Sequence, residues 1–263
     1  MRRFISGCAI ALALGVLAML MPATVLAGPT FNWTTTAGSS GSDSARSVAM
    51  RSDGSSYTAG LFSNTVAFGS TNLTSAGNRD VFLVKMSSTG TVEWALGGGG
   101  ASDESSADVA VLPNGEAIVT GTFSGTANIF GTSLTASGIS DIFVAKVNAD
   151  GTVAWVVRGG GSGTDSATAI ATASDSFAVI TGVFNGAGAF GSASLTSAGG
   201  NDLFVARIDS SGAFDWAVSG GSNLVEAGGG VAVTADASAV LVDGTAGATG
   251  GTFFGSSAIT ASS

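Results

Sequence analysis

Seven carboxylates recur in register along this 263-residue chain. Asp43, Glu104, Asp165 and Glu226 follow one another at intervals of 61, and Asp80, Asp141 and Asp202 form a second column with the same interval. Acids repeated in this way suit two chemistries. As hard oxygen donors they could hold Ca²⁺, which takes six to eight oxygens. As pairs they could serve an exported hydrolase or lyase acting on glycans, one group as acid and the other as base. Neither chemistry has its dedicated motif, for no Asp-x-Asp-x-Asp-Gly calcium loop occurs. An enzyme site breaks a repeat with unique residues, whereas these acids belong to it. The expected role of each is to cap a turn or accept backbone N–H groups. Cation binding is the alternative, and no catalytic or cofactor-binding residue is expected.

Composition narrows the chemistry further. The chain has no histidine and one cysteine, Cys8. That removes most zinc sites, Ser-His and Cys-His nucleophiles, thiol redox chemistry and haem ligation. The glycine runs 97–100 and 159–161 precede neither a helix nor a Gly-Lys-Ser/Thr, so they are not phosphate cradles. Trp94, Trp155 and Trp216 are expected to pack as large apolar anchors between repeats. Hydrophobic residues make up 45% and charged residues only 10%, with mean hydropathy +0.47. Such a chain is too apolar for a disordered polyelectrolyte.

The N-terminus reads as an export signal. Arg2 and Arg3 precede an apolar run from Phe4 to Met21, and Val25-Leu26-Ala27 offers small residues at a cleavage site before Gly28. A retained membrane helix is the alternative. Cleavage after residue 27 would remove two arginines, the only cysteine and no acid, taking the net charge from −9 to −11. So acidic a protein, with few scattered bases, excludes nucleic acid and anionic membrane surfaces as partners. The expected location is periplasmic, cell-surface or extracellular.

The acids must be positioned by a repeat. Trp33, Trp94, Trp155 and Trp216 are the only tryptophans and keep the same interval of 61. So do Val48, Val109, Ile170 and Val231; Asp53, Asn114, Asp175 and Asp236; and Phe62, Phe123 and Phe184. Each repeat reads as four short strands. In the first copy these are Arg46–Arg51, Ser56–Phe62, Asp80–Met86 and Thr91–Leu96, and Val92, Trp94 and Leu96 share a face by the period of two. Ser52-Asp53-Gly54 reads as a two-residue hairpin. Residues 64–79 form a small extra hairpin, and the glycine run 97–100 leads to the next repeat. The expected fold is all-β: a β-propeller of four-stranded blades, about four repeats of 61 residues (roughly 34–94, 95–155, 156–216 and 217–263) with the last blade incomplete. A stacked solenoid is the architectural alternative.

The run from Asp141 to Ala171, DIFVAKVNADGTVAWVVRGGGSGTDSATAIA, resembles the bacterial beta-propeller repeat called the SBBP repeat. Phe190 to Asp209 is similar to its longer variety. The resemblance covers nearly all of residues 31–263 and implies an exported or surface propeller, with no catalytic or ligand residues to carry over. The fourth copy drifts: Thr245 stands where the others have Phe, and Ile259-Thr260 matches Leu195-Thr196 at an offset of 64. A strand from Phe31 to Thr35 could help close that blade; otherwise the chain is a fragment of a longer array, its unpaired blade edges open to self-association. The function expected is a non-catalytic scaffold or binding module for a protein or polysaccharide.

Overall fold

Small and β-branched residues open each repeat as a strand, and in the computed structural model a second strand pairs antiparallel with it in every unit. The structure describes residues 33–174 and 177–245. The expected signal segment 1–27, Phe31, Asp175 and residues 246–263, including Ile259-Thr260, lie outside the described residues. Among the described residues the chain is all-β, without a helix.

The first unit comprises β1 (Ser44–Met50), β2 (Ser56–Phe62), β3 (Thr65–Phe68), β4 (Thr71–Thr74), β5 (Asp80–Met86) and β6 (Val92–Gly100). The second repeats that order as β7 (Ser105–Val111), β8 (Ala117–Phe123), β9 (Thr126–Ile129), β10 (Thr132–Thr135), β11 (Asp141–Val147) and β12 (Val153–Gly161). The third is β13 (Ser166–Ser174), β14 (Phe177–Phe184), β15 (Ala187–Phe190), β16 (Ala193–Thr196), β17 (Asp202–Asp209) and β18 (Phe214–Gly220). β19 (Ala227–Val233) and β20 (Val240–Thr245) open the fourth. The expected extra hairpin is β3–β4 and its copies.

Three local expectations need correction. The turn after β1 spans three residues: Arg51 N–H bonds Ser55 O at 2.9 Å, and Gly54 takes φ +84°. The Asp53 carboxylate accepts the Ser55 N–H and leaves glycine to supply the left-handed residue of the longer loop. Secondly, Val92 does not share a face with Trp94 and Leu96. Lys85 faces Trp94 and Met86 faces Val92, so Glu93 is an extra, bulged residue that inverts the alternation. Val92 consequently packs with Phe62 and Phe82, and Trp94 and Leu96 pack on the opposite face. Thirdly, the glycine run is not a linker. It continues β6, and Gly99 and Gly100 pair with Asn128 and Ala127 of β9. Gly160 and Gly161 of β12 pair with β15 in the same way. A side chain at Gly98 would run into the backbone of Asn128 and Phe130, so this approach requires glycine.

The second and third extra hairpins, β9–β10 and β15–β16, therefore each extend the sheet of the repeat before them. The strand orders are β1-β2-β5-β6-β9-β10 and β7-β8-β11-β12-β15-β16, followed by β13-β14-β17-β18; β19-β20 and β3-β4 stand as two-stranded sheets. All these pairings are antiparallel, and no sheet closes on itself. Successive first strands pack together, β1 on β7, β7 on β13 and β13 on β19. Ser47 and Asp108, which hold the same place in their repeats, meet at 2.5 Å, and Asp108 also accepts the Ile170 N–H at 3.0 Å.

The core lies between consecutive sheets. Along β11, Ile142 and Val144 face the third unit while Phe143 and Ala145 face the first. Central strands are thus buried on both faces, and a continuous apolar run replaces the alternation of a half-exposed strand. Phe82, Phe143 and Phe204 lie across their sheets from Gly60, Gly121 and Gly182, whose missing side chains make room for the rings. Burying each such ring contributes roughly 1.5–3 kcal/mol.

Candidate functional site: the junctions between repeats

The two acidic columns meet where one repeat passes to the next. In the first junction the Glu104 N–H donates to Arg79 O at 2.8 Å, joining the loop that enters β5 to the loop that enters β7. The same bond recurs from Asp165 to Ser140 O at 3.0 Å and from Glu226 to Asn201 O at 2.8 Å. Each acid of the second column then folds its own loop. Asp80 accepts the Ala76 N–H at 3.0 Å, Asp141 the Ser137 N–H at 3.0 Å and Asp202 the Ala198 N–H at 2.9 Å. The first column reaches back four residues as well. Glu104 accepts the Gly100 N–H at 2.7 Å, Asp165 the Gly161 N–H at 2.5 Å, and Glu226 the Ser222 hydroxyl at 2.6 Å. Asp43 accepts the Ser39 N–H at 2.5 Å and the Ser63 N–H at 3.2 Å. In every copy, then, a carboxylate draws a short loop closed through hydrogen bonds.

Asp80 is thereby set beside Glu104, Asp141 beside Asp165 and Asp202 beside Glu226. All six are buried, none more than 3% exposed. A glycine packs against each pair. A β-carbon on Gly160 would lie 2.6 Å from Asp165 Oδ2 and 3.2 Å from the Asp141 carboxyl carbon. Gly99 and Gly221 abut the Asp80 and Asp202 carboxyl groups in the same manner. Burial pushes Glu104 up to about 7, with the Asp80 charge adding to the shift and the Gly100 N–H opposing it. Burial also raises Asp80, Asp165 and Asp202, the last two helped by the neighbouring Asp141 and Glu226 charges. At Asp43, where burial opposes them, the bonds from Ser39 and Ser63 prevail and hold the carboxyl below its ordinary range.

The junctions differ in their cation. Arg158 Nη1 lies 2.5 Å from Asp141 Oδ2 and also bonds the Ser137 hydroxyl. The equivalent positions in the flanking repeats are Gly97 and Ser219. The acid columns were visible in the sequence; their pairing across the repeat boundary and the role of Arg158 were not. The constant separation of 24 between Asp80 and Glu104, Asp141 and Asp165, and Asp202 and Glu226 was the available signal.

Around this constant frame the loop tips vary. The first junction exposes an Arg79–Asp103 ion pair of 2.9 Å. At the place matching Asp103 the second exposes Thr164 and the third Val225, and the same loops also expose Ile139 and Leu224. The first-strand ends form a second concavity of about 260 Å³, in which Met50, Val111 and Thr172 of three repeats converge. An apolar cavity of about 240 Å³ lies within the first unit, lined by Phe62, Phe68, Phe82 and Val92 with Asp43 at its edge.

The tryptophans also act between repeats. The indole N–H of Trp33 donates to Ser88 O at 3.0 Å, that of Trp94 to Ala149 O at 3.1 Å and that of Trp155 to Ser210 O at 3.0 Å. Each ring covers a left-handed glycine of the clasped turn, Gly90, Gly151 or Gly212. The chain matches no family model and no curated protein.

Proposed function

We propose that the protein is an exported, non-catalytic β-propeller scaffold, each repeat one blade, that presents its junction loops to a protein or polysaccharide. The propeller reading agrees with the resemblance to the SBBP repeat and is supported by the side-by-side packing of β1, β7, β13 and β19. The observation carrying the binding reading is the constant frame with variable tips. Buried carboxylates and a shared backbone bond hold every junction alike, while the exposed place of Asp103, ion-paired with Arg79, passes to Thr164 and then Val225, with Ile139 and Leu224 exposed in the same loops. Rigid supports with variable loops are the usual basis of recognition without catalysis. Burial of the paired acids, none more than 3% exposed, favours a structural role over general acid–base work on a polymer.

A glycan array and a panel of cell-envelope proteins, each probed with the purified chain, test the proposal. A ligand should be found whose affinity falls at least tenfold on combined Ile139→Asp and Val225→Asp substitution, with the melting temperature unchanged. Release of reducing ends from a glycan, abolished by Glu104→Gln, would instead establish the hydrolase or lyase.

A further inference from the structure

Three junctions share one frame, but among the described ion pairs only that of the middle one sets a guanidinium on a member of the buried acid pair. There the Arg158 guanidinium rests on Asp141 Oδ2, and both oxygens of Asp165 are bonded, to the Gly161 and Asn185 amides. A single carboxylate oxygen, Asp141 Oδ1, is left without a partner. The flanking junctions have Gly97 and Ser219 in the place of Arg158. Each contains a Glu where the middle one has Asp, and each leaves two carboxylate oxygens without a hydrogen bond of ordinary length and angle, the Gly77 and Ser124 amides lying near the first pair. These are Asp80 Oδ1 with Glu104 Oε1, and Asp202 Oδ1 with Glu226 Oε2, on side chains 97–99% buried.

An unbonded buried carboxylate oxygen is costly, and two in adjacent acids more so. Something positive belongs beside them, as the middle junction demonstrates. We propose that the Asp80/Glu104 and Asp202/Glu226 junctions each bind one divalent cation of the hard, oxygen-seeking class, Ca²⁺ being the natural occupant, and that Arg158 replaces it at Asp141/Asp165. Two carboxylates neutralise one divalent charge. No group of three or more acidic, histidine or cysteine ligands gathers among the described residues, so each ion would take its remaining ligands from main-chain carbonyl oxygens and water. A glycine lets the second-column carboxyl sit at each flanking junction: a β-carbon at Gly99 or Gly221 would collide with the carboxyl group of Asp80 or Asp202. Calcium prefers such mixed oxygen shells.

The test is calorimetric titration of the full purified chain, stripped with EDTA, with CaCl₂ at neutral pH. Two ions per chain are expected, together with a higher melting temperature in CaCl₂ than in EDTA. Glu104→Gln and Glu226→Gln should each remove one ion. Arg158→Gly, which gives the middle junction the glycine of the first, should raise the count to three. The Arg158 variant keeps the test decisive if a neutralised junction fails to fold. Absence of binding by the folded wild-type chain, a wild-type count other than two, or a count unchanged in Arg158→Gly overturns the proposal. Stability that rises on acidification and ignores CaCl₂ would identify the occupant as a proton and likewise overturn it.

Discussion

At the scale of single residues, the chain buries acids in pairs and relies on backbone amides to hold them. The consequence is a stability that responds to pH in a defined direction. Burial lifts the folded Glu104 to about 7, above its ordinary value of 4.5. A raised carboxyl binds its proton more tightly folded than unfolded. Its contribution is therefore complete below about pH 4.5 and is lost as pH rises through about 7. Asp80, Asp165 and Asp202 are shifted the same way. Urea midpoints measured in EDTA should fall between pH 5 and pH 8, and Glu104→Gln should flatten that slope. A midpoint that climbs over this interval would contradict the burial of the pair. Acids in register were evident from the sequence. That two of them share a space was not, because proximity depends on the bond from the Glu104 amide to Arg79 O, which involves no side chain that sequence could display.

At the scale of elements, the apolar runs 56–62 and 80–86 became strands at their expected bounds. They were legible because Val81 and Leu83 alternate with Phe82 and Val84, a continuous apolar run that is buried only in a strand with both faces covered. The strand ends were harder. Gly97–Gly100 carries no apolar pattern, and glycine disfavours strands by propensity. Here the close backbone of the following hairpin overrides that preference. The bulge at Glu93 was hidden for a related reason: an inverted alternation looks like an ordinary one unless the partner strand is known. It sets Glu93 3.0 Å from Lys85, and it turns Trp94 toward the next repeat. Replacing Trp94 by Ala removes both the indole bond and the cover over Gly151, and should cost about 3–5 kcal/mol in chemical denaturation. Trp94→Phe retains most of the ring and should cost about 1 kcal/mol, the worth of one hydrogen bond. Equal losses would mean that the packing contributes nothing.

At the scale of the whole molecule, repeats are not independent beads. The first sheet contains β9 and β10 from the second repeat, and the second contains β15 and β16 from the third. No boundary among these three repeats can open without breaking a sheet and uncovering Tyr57, Phe143 or Phe204, all buried between units. Calorimetry should accordingly show one transition spanning them, with calorimetric and van't Hoff enthalpies in agreement. Resolved melting of single repeats would refute such coupling.

The tryptophan clasp gives the chain a direction. The indoles of Trp33, Trp94 and Trp155 each donate to a carbonyl 55 residues further on. The donor has therefore always left the ribosome before its acceptor exists. A newly made repeat can dock its turn onto a ring already in place, so that the second and third repeats can each be laid on the one before.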